Sequence, residues 1–257
     1  MSTRQAMLID IPMCVGCGAC QAACKEENRL PGEAEPALSA TAFTALEEHD
    51  GAYVRRMCQH CLDPACAAAC PVGAFTKTAA GPVLYDAAKC IGCRYCIQAC
   101  PFDVPRYEWQ STYPKVQKCR FCAPRLQRGQ PPACAEVCPT GATRSGDRDG
   151  LVREAYARIA AEPGRYVNRV YGVEEAGGTS VLYLSSVPFE QLGFHTALAK
   201  TPLPELTERA LSKVPSVVAV GGVLLYGIWW ITNRRTEVQR LERQLEDMEA
   251  RSRGEDQ

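Results

Sequence analysis

The stretch Cys90–Pro101 reads CIGCRYCIQACP, and the rest of the chain is organised around sequences like it. Three cysteines are separated by gaps of two residues, and a fourth follows after three residues, directly before a proline. This spacing is typical of 4Fe-4S ligation, in which three cysteines hold one cluster and the fourth ligates a neighbouring cluster. Such runs therefore come in pairs, because a single run would leave each cluster one ligand short.

The sequence contains four such runs, which together use all sixteen cysteines. The middle gap lengthens to four residues in the second run and to eleven in the fourth. Sixteen thiolates suffice for about four clusters with four ligands each, and no cysteine remains for a disulfide or a nucleophile. The runs are Cys14, Cys17, Cys20 and Cys24; Cys58, Cys61, Cys66 and Cys70; Cys90, Cys93, Cys96 and Cys100; and Cys119, Cys122, Cys134 and Cys138.

Zinc sites and disulfides are the alternative uses of so many cysteines. Zinc sites also contain C-x2-C pairs, but they join two pairs across a longer spacer and do not need a final cysteine followed by proline. Disulfides fit poorly, because cysteines so close in sequence are badly placed for bridge geometry. Residues 1–13 also show no export signal. The pattern favours iron–sulfur clusters over both alternatives.

Composition and the remaining polar residues indicate no other activity. The formal net charge is zero and no basic stripe is present, which argues against a nucleic-acid partner. No catalytic triad or carboxylate pair is recognisable, and we expect His49, His60 and His195 to be surface or packing residues. His60 lies inside a cysteine run, where a hydrogen bond could tune a cluster. Four cations flank predicted ligands and would raise reduction potentials unless they lie at the surface: Lys89, Arg94, Lys118 and Arg120.

The segments around the runs repeat. Residues 64–74, PACAAACPVGA, parallel residues 132–142, PACAEVCPTGA. This repetition predicts an α+β fold built on a duplicated bacterial two-cluster ferredoxin-like domain. Short elements are predicted by the local pattern: strands at Met7–Ile11, Val83–Tyr85 and Val181–Leu184, and a helix at Leu151–Ala161.

Near the C-terminus, Val214–Ile231 contains eighteen residues without a charge. As a helix this segment would be roughly 27 Å long, which nearly matches a bilayer core. Trp229 and Trp230 lie at its C-terminal end, with Tyr226 nearby, and arginines follow, as at a membrane interface. We predict a transmembrane helix at 214–232; a buried helix of a soluble protein is the alternative.

These observations divide the chain into four parts. The segment 25–57 is rich in Ala, Glu and Pro, and we expect either a surface subdomain or partner contact, or a solvated loop. The charged tail is predicted to be a helix that either contacts a partner or is solvated. The predicted parts are 1–149, a four-cluster ferredoxin-like domain with the insertion 25–57; 150–213, a helix and strand extension; 214–232, the transmembrane helix; and 233–257, the charged helical tail.

Residues 8–145 resemble the four-cluster electron-transfer subunits that accompany molybdopterin oxidoreductases and some membrane-bound nickel–iron hydrogenases. Residues 150–232, with Tyr171-Gly172, GGTSVLYL at 177–184 and Val187-Pro188-Phe189, are similar to the hydrogenase-2 and formate dehydrogenase branch. The resemblance implies a non-catalytic subunit that carries electrons between a catalytic subunit, formate dehydrogenase or nickel–iron hydrogenase, and an integral membrane quinone or cytochrome subunit. A standalone polyferredoxin and a zinc-binding assembly module are the alternatives.

The resemblance also implies how the runs pair, which spacing alone does not give. In this family the first and fourth runs share one pair of clusters, and the second and third share the other. Every ligand position is cysteine, so four 4Fe-4S clusters are expected and no three-iron cluster. The implied ligand sets are cluster A, Cys14, Cys17, Cys20 and Cys138; cluster B, Cys119, Cys122, Cys134 and Cys24; cluster C, Cys58, Cys61, Cys66 and Cys100; and cluster D, Cys90, Cys93, Cys96 and Cys70.

Charges beside the predicted span indicate its orientation. Four arginines, Arg234, Arg235, Arg240 and Arg243, follow it, whereas three cations, Lys200, Arg209 and Lys213, precede it. The positive-inside bias predicts a cytoplasmic C-terminus and a periplasmic cluster domain on the inner membrane. Because no export signal is recognised here, the resemblance implies export bound to a partner that carries a twin-arginine signal.

Overall fold

The computed structural model describes residues 4–255, with side chains up to Met248, and divides into two compact units at residues 206 and 207. The first unit mixes short helices and strands, as predicted. Its elements are β1 (Gln5–Asp10), α1 (Ala19–Asn28), β2 (Thr44–His49), β3 (Ala52–Met57), α2 (Ala65–Ala68), β4 (Phe75–Lys77), β5 (Val83–Tyr85), α3 (Tyr95–Gln98), β6 (Arg106–Tyr107), β7 (Val116–Gln117), α4 (Ala123–Gln127), α5 (Ala133–Glu136), β8 (Thr143–Asp147), α6 (Arg148–Ala161) and β9 (Val181–Leu184).

Strand β1 is the centre of a three-stranded sheet in the order β8, β1, β9. It pairs antiparallel with β8 and parallel with β9. Both faces of β1 are buried: Leu8 packs with Leu151 of α6, whereas Met7 and Ile9 face a core that also contains Val54. Strand alternation explains this division. The sheet therefore separates α6 from the cysteine-rich part of the unit.

Most local predictions are confirmed. Strands β5 and β9 have the predicted bounds, Val83–Tyr85 and Val181–Leu184. Helix α6 begins at Arg148, before the predicted Leu151, because the Asp147 side chain caps it by accepting the Gly150 N–H at 3.0 Å. The first strand begins at Gln5 and ends at Asp10, since a 3-10 turn takes over at Ile11.

The segment 25–57, predicted to be a surface subdomain or partner contact, or else a solvated loop, is partly buried. Its second half is the antiparallel hairpin β2–β3. Phe43, Val54 and Met57 are almost fully buried in the same core as Met7, so these apolar side chains hold the hairpin against the sheet. The composition of residues 25–57 does not indicate a buried hairpin, because the polar residues of the first half dominate the average composition of the segment.

The second unit consists mainly of α8 (Val214–Glu255), a continuous helix of 42 residues preceded by α7 (Leu203–Leu211). The predicted span and charged tail are thus one helix. Among the described residues, one helical stretch, 203–248, is long and apolar enough to cross a membrane by length and composition. None of its apolar window is buried, whereas the alternative, a core helix of a soluble protein, would be mostly buried.

Candidate iron–sulfur centres

The four cysteine runs begin with the same local backbone geometry. The third residue of each run has a left-handed φ: +68° at Gly16, +48° at His60, +73° at Gly92 and +56° at Phe121. A positive φ is uncommon for residues other than glycine, so its recurrence at His60 and Phe121 marks a shape that the loops share. The shape turns main-chain N–H groups towards the run's first cysteine.

These main-chain donors reach the cysteine sulfurs. The Gly92 N–H lies 3.4 Å from Cys90 Sγ, and the second half of a run provides similar donors, with the Ala74 N–H 3.2 Å from Cys70 Sγ. Cys24, which lacks the following proline, instead receives the Asn28 side-chain amide at 3.6 Å. Hydrogen bonds to a thiolate favour its charged form, so the loops are suited to anionic sulfur ligands.

The structure brings each predicted ligand close to at least one other member of its expected set, near enough for the thiols to affect each other's ionisation. Cys14 lies close to Cys138 although 124 residues separate them in sequence. The neighbouring pairs are Cys14 with Cys17, Cys20 and Cys138; Cys24 with Cys119, Cys122 and Cys134; Cys61 with Cys58, Cys66 and Cys100; and Cys96 with Cys70, Cys90 and Cys93.

Three further pairs of neighbouring thiols link the sets to one another. Cys20 lies close to Cys134, which joins sets A and B. Cys119 lies close to Cys58, which joins B and C. Cys66 lies close to Cys96, which joins C and D. The thiols therefore form one continuous row in the order A, B, C, D.

The first set encloses a cavity. Cys14, Cys17, Cys20 and Cys138 all line it, together with Arg55. Four soft sulfur donors around one cavity fit a 4Fe-4S cluster, whose irons prefer thiolate ligands. Among the residues that the structure describes, no three His, Cys, Asp or Glu side chains are close enough to hold a single metal ion.

Burial controls the protonation of the free thiols. It raises the pKa of Cys24 and of Cys66 to about 12, with neighbouring thiols adding to the effect. For Cys138, burial opposes ionisation, but hydrogen bonds from Thr143 and Thr140 outweigh it and lower the pKa. Since iron binds the thiolate, loading a cluster must release protons from the buried cysteines.

Of the four cations that flank predicted ligands, only Lys118 is buried. Its Nζ donates to the carbonyl oxygens of Val83 at 2.7 Å and of Cys119 at 2.9 Å. The others, Lys89, Arg94 and Arg120, are exposed. Lys118 thus lies beside the junction of sets B and C. The other three cations lie at the surface, which was the alternative predicted from the sequence.

His60 is a packing residue, fully buried with its ring edge against Phe121 at 4.8 Å between centroids. Burial and the nearby Lys118 and Lys77 hold its pKa well below the usual range, so the ring is neutral. Its Nδ1 accepts the Val83 N–H at 2.9 Å, which leaves the proton on Nε2. Nε2 has no partner among the described residues, and its predicted role in tuning a cluster stays a prediction.

Arg55 is the feature that sequence reasoning missed. It is 2% exposed, lies on β3 and contacts the thiols of Cys20 and Cys134. Burial alone would lower the pKa of Arg55, but the nearby sulfurs of Cys134 and Cys20 raise it, so the side chain stays charged. The only sequence signal is its position on β3 between Val54 and Met57, beside a second arginine, Arg56.

Sulfur ligands in repeated loops define the class of protein as an iron–sulfur protein, and comparison with known proteins defines the family. The family described as 4Fe-4S dicluster domain matches residues 49–148. The hydrogenase-2 operon protein HybA of Escherichia coli O157:H7 is 36% identical over 233 residues, covering 72% of this chain and 71% of HybA.

Two formate dehydrogenase subunits are similarly related. The iron–sulfur subunit of Haemophilus influenzae is 35% identical over 244 residues, covering 86% of this chain and 77% of its own. The nitrate-inducible iron–sulfur subunit of Escherichia coli K12 is 39% identical over 199 residues, covering 70% and 67%. The chain therefore belongs to the family that contains formate dehydrogenase iron–sulfur subunits and the hydrogenase-2 operon protein HybA, which confirms the resemblance.

Proposed function

We propose that the protein is an electron-transfer subunit that holds four 4Fe-4S clusters in a row and is anchored to the membrane by α8. The observation that supports it most is the continuous row of thiol sets A, B, C and D, linked by the neighbouring thiols Cys20 and Cys134, Cys119 and Cys58, and Cys66 and Cys96. A row of one-electron centres provides a path for electrons, which a storage or zinc-binding protein does not need.

The chain's own residues would hold, space and shield the clusters. When bound, the clusters supply one-electron transfer. Set A takes Cys14, Cys17, Cys20 and Cys138; set B takes Cys119, Cys122, Cys134 and Cys24; set C takes Cys58, Cys61, Cys66 and Cys100; and set D takes Cys90, Cys93, Cys96 and Cys70. In this proposal A with B and C with D are the two halves of the duplicated ferredoxin-like domain.

The ends of the row are accessible. Cys17 of set A is exposed beside Val15, which is 60% exposed. At the other end, Ile91 and Tyr95 lie within the run of set D and are 66% and 60% exposed. Exposed apolar residues next to terminal centres suit contacts with redox partners. By analogy with the named relatives, one partner is a formate dehydrogenase or nickel–iron hydrogenase catalytic subunit, and the other is an integral membrane quinone or cytochrome subunit.

The proposal predicts the metal content. Protein purified anaerobically should contain about sixteen iron atoms and as many sulfides, four of each per cluster. Iron and acid-labile sulfide assays on the same sample measure this, and zinc is determined in parallel. Near-stoichiometric zinc with little sulfide would contradict the proposal and favour the assembly-module alternative.

We further propose that α8 spans the inner membrane once, with the cluster domain in the periplasm and the C-terminus in the cytoplasm. The support is the excess of arginines after the span, from Arg234 to Arg243. Protease added to intact spheroplasts should digest the cluster domain and leave an epitope at the C-terminus protected. Detergent-treated spheroplasts are the control, and protection of the cluster domain with loss of the epitope would reverse the orientation.

A further inference from the structure

Arg55 carries a positive charge into the interior at the junction of sets A and B. Its guanidinium lines the cavity enclosed by the thiols of set A. It also contacts Cys134 of set B and Cys20 of set A. Because β3 is held in the sheet core by Val54 and Met57, the side chain has a fixed origin between the two sets.

The protein provides few partners for this charge. Nη2 donates to the sulfur of Met7, while Nε and Nη1 have no hydrogen-bond partner among the described residues. No carboxylate in that part of the chain forms an ion pair with Arg55, unlike the adjacent Arg56, whose Nε lies 2.7 Å from Glu47. A buried guanidinium without a carboxylate partner is costly, since it cannot lose its proton. The arrangement is therefore complete only with an anion in place.

We propose that Arg55 is a positioning residue shared by clusters A and B, donating hydrogen bonds to their sulfur atoms and raising the reduction potentials of both. This inference rests on the proposed function. The physical reason is that reduction adds a negative charge to a cluster, which a nearby buried cation stabilises more strongly than a solvated one. Clusters A and B would consequently be easier to reduce than they would be without Arg55.

The test is a redox titration of Arg55→Met and Arg55→Lys in the full chain, followed by electron paramagnetic resonance. In Arg55→Met the potentials of A and B should fall by at least 59 mV, which corresponds to a tenfold change in a one-electron equilibrium. Arg55→Lys should shift them less, because it keeps the charge but loses the planar set of donors. The potentials of C and D should stay unchanged.

Arg120→Met is the matched control. Arg120 lies between Cys119 and Cys122 of set B, but it is exposed and its guanidinium stacks over Phe43 at 5.6 Å. Water screens a cation in that position, so its removal should shift the potential of B by less than Arg55→Met does. An equal shift from both variants would overturn the specific role of Arg55.

A second measurement compares the wild-type chain with Arg55→Lys and so does not depend on the folding of Arg55→Met. With 15N introduced only into guanidinium nitrogens, pulsed electron paramagnetic resonance of reduced A or B should show nitrogen coupling that Arg55→Lys abolishes. No coupling, or unchanged potentials in a fully loaded Arg55→Met protein, would overturn the inference. If Arg55→Met loads no clusters, the nitrogen coupling in the wild-type protein decides whether Arg55 contacts clusters A and B. A wild-type protein without iron would mean instead that the proposed function is wrong.

Discussion

Replacing Cys24 by serine should damage cluster B and spare cluster A, although Cys24 belongs to the same run as the ligands of A. Cys20 and Cys24 are one turn apart on α1 and both lie near Cys134. Their other thiol neighbours differ, because Cys20 also lies near Cys14 whereas Cys24 also lies near Cys122. Serine is a harder, weaker ligand for iron than a thiolate, so the effect should be confined to the set that loses its sulfur.

The expected loss is large, because B is an internal member of the row. Electron transfer from a catalytic partner to quinone should fall about tenfold or more, the scale seen when metal surroundings are disturbed. Electron paramagnetic resonance should show the signal of B lost or altered and that of A retained. Iron analysis should show about four fewer iron atoms if B fails to assemble.

Cys20→Ser is the matched control, since it changes the same side chain on the same helix. It should remove or alter A and leave B in place. The two variants together also identify which resonance belongs to which set, as the Arg55 titrations require. If Cys24→Ser and Cys20→Ser both removed A alone, the shared ligation between the first and fourth runs would be wrong.

The candidate ligands could be predicted from sequence because cluster ligation is mostly local. In the proposed sets three of four sulfurs come from one run, and the left-handed turn at Gly16 or Gly92 is signalled by glycine itself. The fourth ligand of each proposed set comes from a different run, and nothing in the spacing shows that Cys14 lies near Cys138. That pairing came from family resemblance, and the structure places the two thiols close together.

The burial of Arg55 and the hairpin β2–β3 could not be predicted from the sequence. The hairpin lies in a segment whose composition is polar, but its inward side chains alternate too briefly for a clear strand pattern. An arginine in such a strand would normally point to solvent. Its burial becomes understandable only when tertiary structure brings Cys20 and Cys134 close to it, since a buried charge needs such neighbours to be tolerated.

A chain that ends after Lys213, immediately before α8, should lose its membrane attachment and keep its clusters. The sixteen cysteines and all three hydrophobic cores lie in the first unit, so iron content should stay at about sixteen atoms per chain. The apolar window of α8 has a mean hydropathy of 1.8. Its removal eliminates many residues that each favour insertion by about 0.3–0.6 kcal/mol at the bilayer centre.

The measurement is fractionation after carbonate washing, in cells that lack the other subunits, so that partners cannot hold the chain at the membrane. The full chain should sediment with membranes and the shortened chain should appear in the supernatant. A chain that ends after Thr236 is the control: it keeps the span and removes most of the charged tail, and it should still sediment. If the chain ending at Lys213 stayed with the washed membranes, attachment would lie in the first unit and α8 would need another role, such as contact with a partner helix.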